Sequence, residues 1–230
     1  MLDGNFSSNN KVWAAGVSGG LWSITNIENA SSEWTKVSDF WDTLNITSVA
    51  TDPTDANIIY IGTGEKRGMG LKGFGVWKTS DGGSTWNQLS SSTGFKWIDT
   101  IIVRDEGGVG AVYVGGGRSL SEGEYTGING LQKSTDGGAT WTEVLGEIAA
   151  GSSHHVTDLE IDSNNRLIVG TRTNTFGDGG GQIFYSDDGA VFSPYTIGAL
   201  GSFDRTFVDV SPSDPNVLYA MFESATTGYI

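Results

Sequence analysis

Apolar residues in this chain fall into short runs separated by clusters of turn-forming residues, and the runs recur in a fixed order. The first run of each unit is strongly apolar and occupies 46–51, 97–103, 156–161 and 206–210. A turn follows, often rich in Asp, Asn and Pro, such as Asp52-Pro53-Thr54-Asp55-Ala56-Asn57 or Ser211-Pro212-Ser213-Asp214-Pro215-Asn216. The second run is apolar with a late Gly at 58–62, 111–115 and 167–170, and is matched at the two ends of the chain by 12–16 and 217–221. A Gly-rich loop then leads to a third run at 75–78, 130–133 and 182–185. Runs this short, bounded by Gly, Pro, Asn and Asp, predict strands rather than helices.

Each third run ends in the same turn. Thr79-Ser80-Asp81-Gly82-Gly83-Ser84-Thr85-Trp86 returns as Ser134-Thr135-Asp136-Gly137-Gly138-Ala139-Thr140-Trp141, and in worn form as Tyr185-Ser186-Asp187-Asp188-Gly189-Ala190-Val191-Phe192. A fourth, outer strand begins at each closing aromatic. Four antiparallel strands repeated every ~50 residues predict an all-β β-propeller, read as one domain over 1–230. The first unit begins at what reads as a second strand, and the last stops at 227–230, where a third should start. Four blades nearly complete and a fifth half written are therefore expected, as part of a propeller of roughly six to eight blades. The alternative is a small closed ring in which 206–210 supplies the first blade's inner strand.

The repeated turn resembles the Asp-box, or bacterial neuraminidase repeat, of sialidases, sortilin-type receptor domains and xyloglucanase-type glycoside hydrolases. Asp81, Gly83, Thr85 and Trp86, and again Asp136, Gly138, Thr140 and Trp141, match its Ser/Thr-x-Asp-x-Gly-x-Thr-Trp pattern in full. The third copy keeps Asp187 and Gly189 but ends in Val191 and Phe192. The chemistry of such a turn is structural. Asp accepts backbone N–H groups, Gly supplies the positive φ, and Trp seals the gap between strands. The resemblance implies that these turns lie on the face opposite any active site.

Composition narrows the classes. Gly supplies 35 of 230 residues, and there is no Cys, so disulfides, thiolate metal sites and Cys nucleophiles drop out. A net charge of −14 disfavours nucleic acid as a partner. No apolar run is long enough for a membrane span. An acidic, Lys-poor surface fits an extracellular or cell-envelope protein, although no signal peptide is visible within residues 1–10.

Propeller geometry then sorts the loops. Those joining second to third strands (62–73, 115–130, 171–181), together with the blade links, form the face expected to carry function. Four of the six Arg fall there: Arg67, Arg118, Arg172 and Arg205. Arg suits bidentate recognition of carboxylate or sulfate, and pairing with nearby acids is the ordinary alternative. Glycoside hydrolysis needs two carboxyls flanking the bond, about 5–5.5 Å apart for retention or about 6.5–9.5 Å for inversion. Asp99 and Asp158 head the inner strands of adjacent blades and form the catalytic pair to test, with Glu65 and Glu124 as alternatives. Trp97, Trp41, Tyr125 and Phe176 are the aromatics placed to stack on sugar rings.

The resemblance to named enzymes stops short of their catalytic sets. A sialidase's Phe/Tyr-Arg-Ile-Pro segment is absent, Glu124-Tyr125 are only sequence neighbours, and no xyloglucanase aspartate can be matched. His154 and His155 are adjacent, so on a strand they point to opposite faces and form no metal pair. Neither a metal nor a cofactor is expected. The leading expectation is an exported, non-catalytic propeller that binds a glycan or protein through its loop face. A glycoside hydrolase of xyloglucanase or sialidase type is the alternative. A photosystem-type assembly factor, with a protein partner and no sugar affinity, is a third.

Overall fold

This computed structural model describes residues 1–38, 41, 43–65, 71–121, 124–196 and 203–224, with no side chain described at 120, 121, 124, 125 or 224. The strands form consecutive antiparallel sheets, each a blade of a β-propeller. The first blade pairs β1 (Val12–Gly16), β2 (Gly20–Ile24) and β3 (Thr35–Lys36), after a single helical turn, α1 (Phe6–Asn9). The second runs β4 (Ile46–Asp52), β5 (Asp55–Thr63), β6 (Val76–Thr79), β7 (Asn87–Gln88) from inner to outer edge. The third has β8 (Ile98–Asp105) and β9 (Gly110–Gly116) inside. A hairpin of β10 (Arg118–Ser121) and β11 (Glu124–Gly127) then intervenes before β12 (Leu131–Ser134) and β13 (Thr142–Glu143) complete that blade. The fourth is β14 (His155–Ile161), β15 (Leu167–Arg172), β16 (Ile183–Ser186), β17 (Ser193–Pro194). A last hairpin, β18 (Phe203–Val210) and β19 (Leu218–Ser224), follows.

Two expectations change. The first blade is not bare on its inner side: residues 1–3 run beside β1, with Met1 and Trp13 exchanging backbone hydrogen bonds at 2.9 Å and Leu2 bridging Val12. An open strand edge leaves donors and acceptors unsatisfied, and these residues supply partners. The closed-ring alternative also fails. β18 pairs along its length with β19 and touches β15 through Arg172 and Arg205; it does not pair with β1.

The core lies between blades rather than within one. Trp13 and Leu21 of the first blade pack on Ile46, Ile59 and Trp77 of the second. Ala50, Tyr60 and Val76 face Ile98, Ile101 and Val112 of the third. Tyr113, Leu131 and Leu145 meet Val156, Leu159 and Leu167 of the fourth. Burying these alternating faces against one another is the main driving force for stacking the sheets.

The Asp turns tie consecutive blades. Asp81 accepts hydrogen bonds from the Thr79 hydroxyl (2.7 Å), the Thr85 amide (2.9 Å) and the Thr85 hydroxyl (2.7 Å), while the Thr79 hydroxyl accepts from Gly83 N–H. Asp136 repeats this with Ser134 and Thr140. In the third copy the acceptor is Asp188, not Asp187. Asp188 takes the amides of Ala190 and Val191, both at 2.8 Å, and the Ser186 hydroxyl at 3.1 Å. Asp187 pairs with Arg166 at 2.7 Å. The correction follows from length: this turn has one Gly with positive φ, Gly189, where the others have two, Gly82–Gly83 and Gly137–Gly138.

A lysine from the preceding blade caps each turn. Lys78, over the Tyr60 ring, donates to the Gly137 carbonyl at 3.3 Å, and Lys133, over Tyr113, donates to Gly189 at 3.3 Å. Lys11, over Trp13, does the same to Gly82 at 3.0 Å. The fourth blade puts Ile168 and Tyr185 at the positions of this aromatic–lysine pair, so the clasp ends there.

Candidate functional site

One feature of the inner strands shapes the loop face. β4, β8, β14 and β18 each carry an extra residue at the same point near their start, shown by register shifts at 46/48, 98/100, 156/158 and 203/205. The extra residues are Thr47, Asp99, Thr157 and Asp204. A bulge leaves its residue outside the ladder and re-aims the side chain. Thr47 uses this freedom to donate to the Ile98 carbonyl of the next blade at 2.6 Å. Asp99 reaches the next blade too, where its Oδ2 lies 2.6 Å from His155 Nε2. The His155 side chain is 2% exposed, whereas that of Asp99 is 27% exposed. Gly117 makes the room, since a Cβ there would lie 2.4 Å from His155 Nδ1.

Asp158 is placed differently. It follows the bulge, and its Oδ2 accepts the Val208 amide of β18 at 2.8 Å. Burial raises its pKa, and hydrogen bonds from Val208 and Leu159 only partly oppose this. Asp99 and Asp158 thus engage separate partners, one toward His155 and the other toward β18.

Around His155 the loops close on one another. Asn174 donates to the Ser152 hydroxyl (2.9 Å) and the Ser153 carbonyl (3.0 Å), while its own carbonyl accepts the amides of Phe176 and Asp178. Ser152 donates to Asp178 at 2.7 Å, and the Thr175 hydroxyl donates to the Arg118 carbonyl. Arg118, Ser153, His155, Asn174 and Phe176 line a narrow cleft between the third and fourth blades. Phe176 is 45% exposed, an apolar ring on the surface beside these polar groups. His154 packs edge-on to Phe184 with centroids 4.9 Å apart, and burial lowers its pKa, which keeps it neutral.

Other expected site residues scatter. Trp97 is 4% exposed, which leaves it no face for a sugar. Trp41 is half-buried and stacked on Trp77 at 4.6 Å, so one of its faces is taken. Arg172 pairs with Asp204 at 3.3 Å, and Arg205 lies over the Phe207 ring. The Glu65 backbone bridges Leu71. Arg67 lies outside the described residues, as do the side chains of Glu124 and Tyr125, whose backbones form β11. Among the described residues no cluster of His, Asp and Glu suits a metal ion, and no helix is long and apolar enough to cross a membrane. Sequence reasoning missed His155 and the Asn174 network. Their signal was faint: a polar pair opening an inner strand, and an Asn two residues past a second strand.

No protein-family model matches the chain. Over 201 residues, 76% of the chain, it is 32% identical to a xyloglucanase of Hypocrea jecorina, of which it spans 20%. Over 142 residues, 56% of the chain, it is 34% identical to the xyloglucanase Xgh74A of Acetivibrio thermocellus, spanning 15% of it. The chain therefore covers a fifth or less of these curated relatives. Among solved structures it superposes on an ancestral GH74 enzyme with a TM-score of 0.61 at 19% identity, over 95% of this chain and 30% of that one. YCF48 bound to D1 peptide gives 0.52 at 13% identity, over 94% and 64%. Likeness at such low identity establishes the propeller fold and nothing finer.

Proposed function

We propose that this chain is part of an exported propeller whose loop face binds a β-glucan of the xyloglucan type. The observation that carries the reading is the exposed Phe176 ring on the surface where the third and fourth blades meet. There exposed Phe176 stands beside Arg118, Asn174 and the His155–Asp99 pair. An apolar ring flanked by oriented polar groups is the usual chemistry of a sugar subsite. The relatives named xyloglucanase support the ligand class. Isothermal calorimetry with xyloglucan oligosaccharides tests it. Binding that Phe176→Ala weakens about ten-fold is expected, and loss of one stacked aromatic contact costs about that much. No measurable binding, or binding untouched by Phe176→Ala, rejects the site.

A second reading, glycoside hydrolase, is favoured by the same relatives and by the part-exposed Asp99 carboxylate beside the cleft. Asp158 is the weaker half of the expected pair, because its carboxylate is spent on the Val208 amide. Under this reading Asp99→Asn abolishes release of reducing sugar, while oligosaccharide binding survives.

A further inference from the structure

The seams between blades are built to one plan, and one of them departs from it. Two positions of each inner strand face the following blade just after the bulge. In β4 they are Ser48 and Ala50, and in β8 Thr100 and Ile102. Ser48 ties its seam neutrally, accepting the Ile101 amide at 3.0 Å. In β14 the same two positions hold Asp158 and Glu160, both half-buried against β18.

Among the described residues the buried apolar side chains of this seam are Ile168, Ile183 and Val208, with Tyr185, Val210, Leu218 and Phe222 packed against them. Polar ties across it include the Asp158–Val208 bond, the Thr173 amide on the Asp204 carbonyl (2.7 Å) and the Arg172–Asp204 pair. The lysine clasp that locks the earlier blades is replaced here by Ile168 and Tyr185.

We propose that the joint between the fourth blade and the β18–β19 hairpin is pH-operated: it is closed while the Asp158–Glu160 pair holds a proton and loosens when both acids ionise. The charged groups facing Glu160 are Asp158 on its own strand and Asp209 on β18. Arg205, also from β18, acts on Asp158. The β15 residue opposite Glu160 is Ile168, which offers no countercharge. Burial first, then repulsion from Asp158 and Asp209, pushes Glu160 up to about 7, and burial raises Asp158 as well. A folded-state pKa above the unfolded value gives stability that is complete below the unfolded pKa and lost as pH rises through the folded one. For Glu160 that window runs from 4.5 to about 7. Acidification therefore closes the joint.

Hydrogen exchange on the full chain, corrected for intrinsic rates, tests this. Between about pH 5 and pH 8, protection of the β18 amides around Val208 should fall roughly ten-fold or more, since each pKa unit is a factor of ten. The β8–β9 amides of the third blade should hold steady over the same range. Glu160→Gln should flatten the β18 response. Glu160→Ile, which installs the residue type of Ile102, should flatten it and keep the hairpin protected at both pH values. A flat wild-type profile in β18, or an unchanged slope in both variants, overturns the proposal.

Discussion

Asp187 and Asp188 are sequence neighbours with different work. Asp188 gathers two backbone amides and a hydroxyl, and Asp187 makes one exposed ion pair with Arg166. A turn that loses its acceptor leaves several N–H groups without a partner, whereas a surface ion pair contributes little. Asp188→Ala is therefore expected to lower the thermal midpoint clearly, and Asp187→Ala to leave it within error of the parent. Calorimetry on the two variants decides, and equal effects would show that the third turn is not organised around Asp188. The sequence pattern pointed to the wrong neighbour because one glycine is missing from this copy. Only the hydrogen-bond register shows which carboxylate the shortened turn uses.

At the scale of elements, the lysine clasp is the recurring device. Lys133 is 15% exposed, lies over Tyr113, caps the Gly189 carbonyl and pairs with Glu106 at 2.7 Å. Lys133→Met keeps the stem and removes the charge, and is expected to cost about 1–3 kcal/mol in urea unfolding. Lys36→Met, whose ring contact with Trp22 lies within one blade at 5.7 Å, should stay within about 0.5 kcal/mol. Equal losses would mean that the clasp adds nothing beyond ordinary surface contacts. The strands themselves were legible: β1 spans the predicted 12–16, and β4 begins at the predicted 46. The β10–β11 hairpin was not, because its segment carries no alternating apolar signal.

For the whole molecule, two groups of carboxylates pull stability in opposite directions with pH. Hydrogen bonds from Thr85 hold Asp81 down at about 2, and the Val191 and Ala190 amides do the same for Asp188. Depressed folded pKa values contribute stability above the ordinary 3.8 that is lost as pH falls through about 2. Glu160 acts in the other sense above about 4.5. The thermal midpoint should thus peak in mildly acid solution and fall on either side, more steeply below about pH 4. A midpoint that stays level between about pH 4 and pH 2 would reject the role given to the turn carboxylates.

The sequence by itself determined the recurring strands of the blades, their order and the repeat. Those follow from local preferences, namely which residues alternate, which turn and which tolerate positive φ, and each blade restates them independently. What the tertiary structure decided lies between blades. Asp99 meets His155 across 56 residues, and Asp158 meets Val208 across 50. Such pairs depend on the angle at which one sheet stacks on the next and on a single extra residue in each inner strand. Neither quantity leaves a mark in the spacing of apolar residues. The same carboxylate at the head of a strand becomes a cleft group or a seam tie according to whether it is the bulge residue or the one after it.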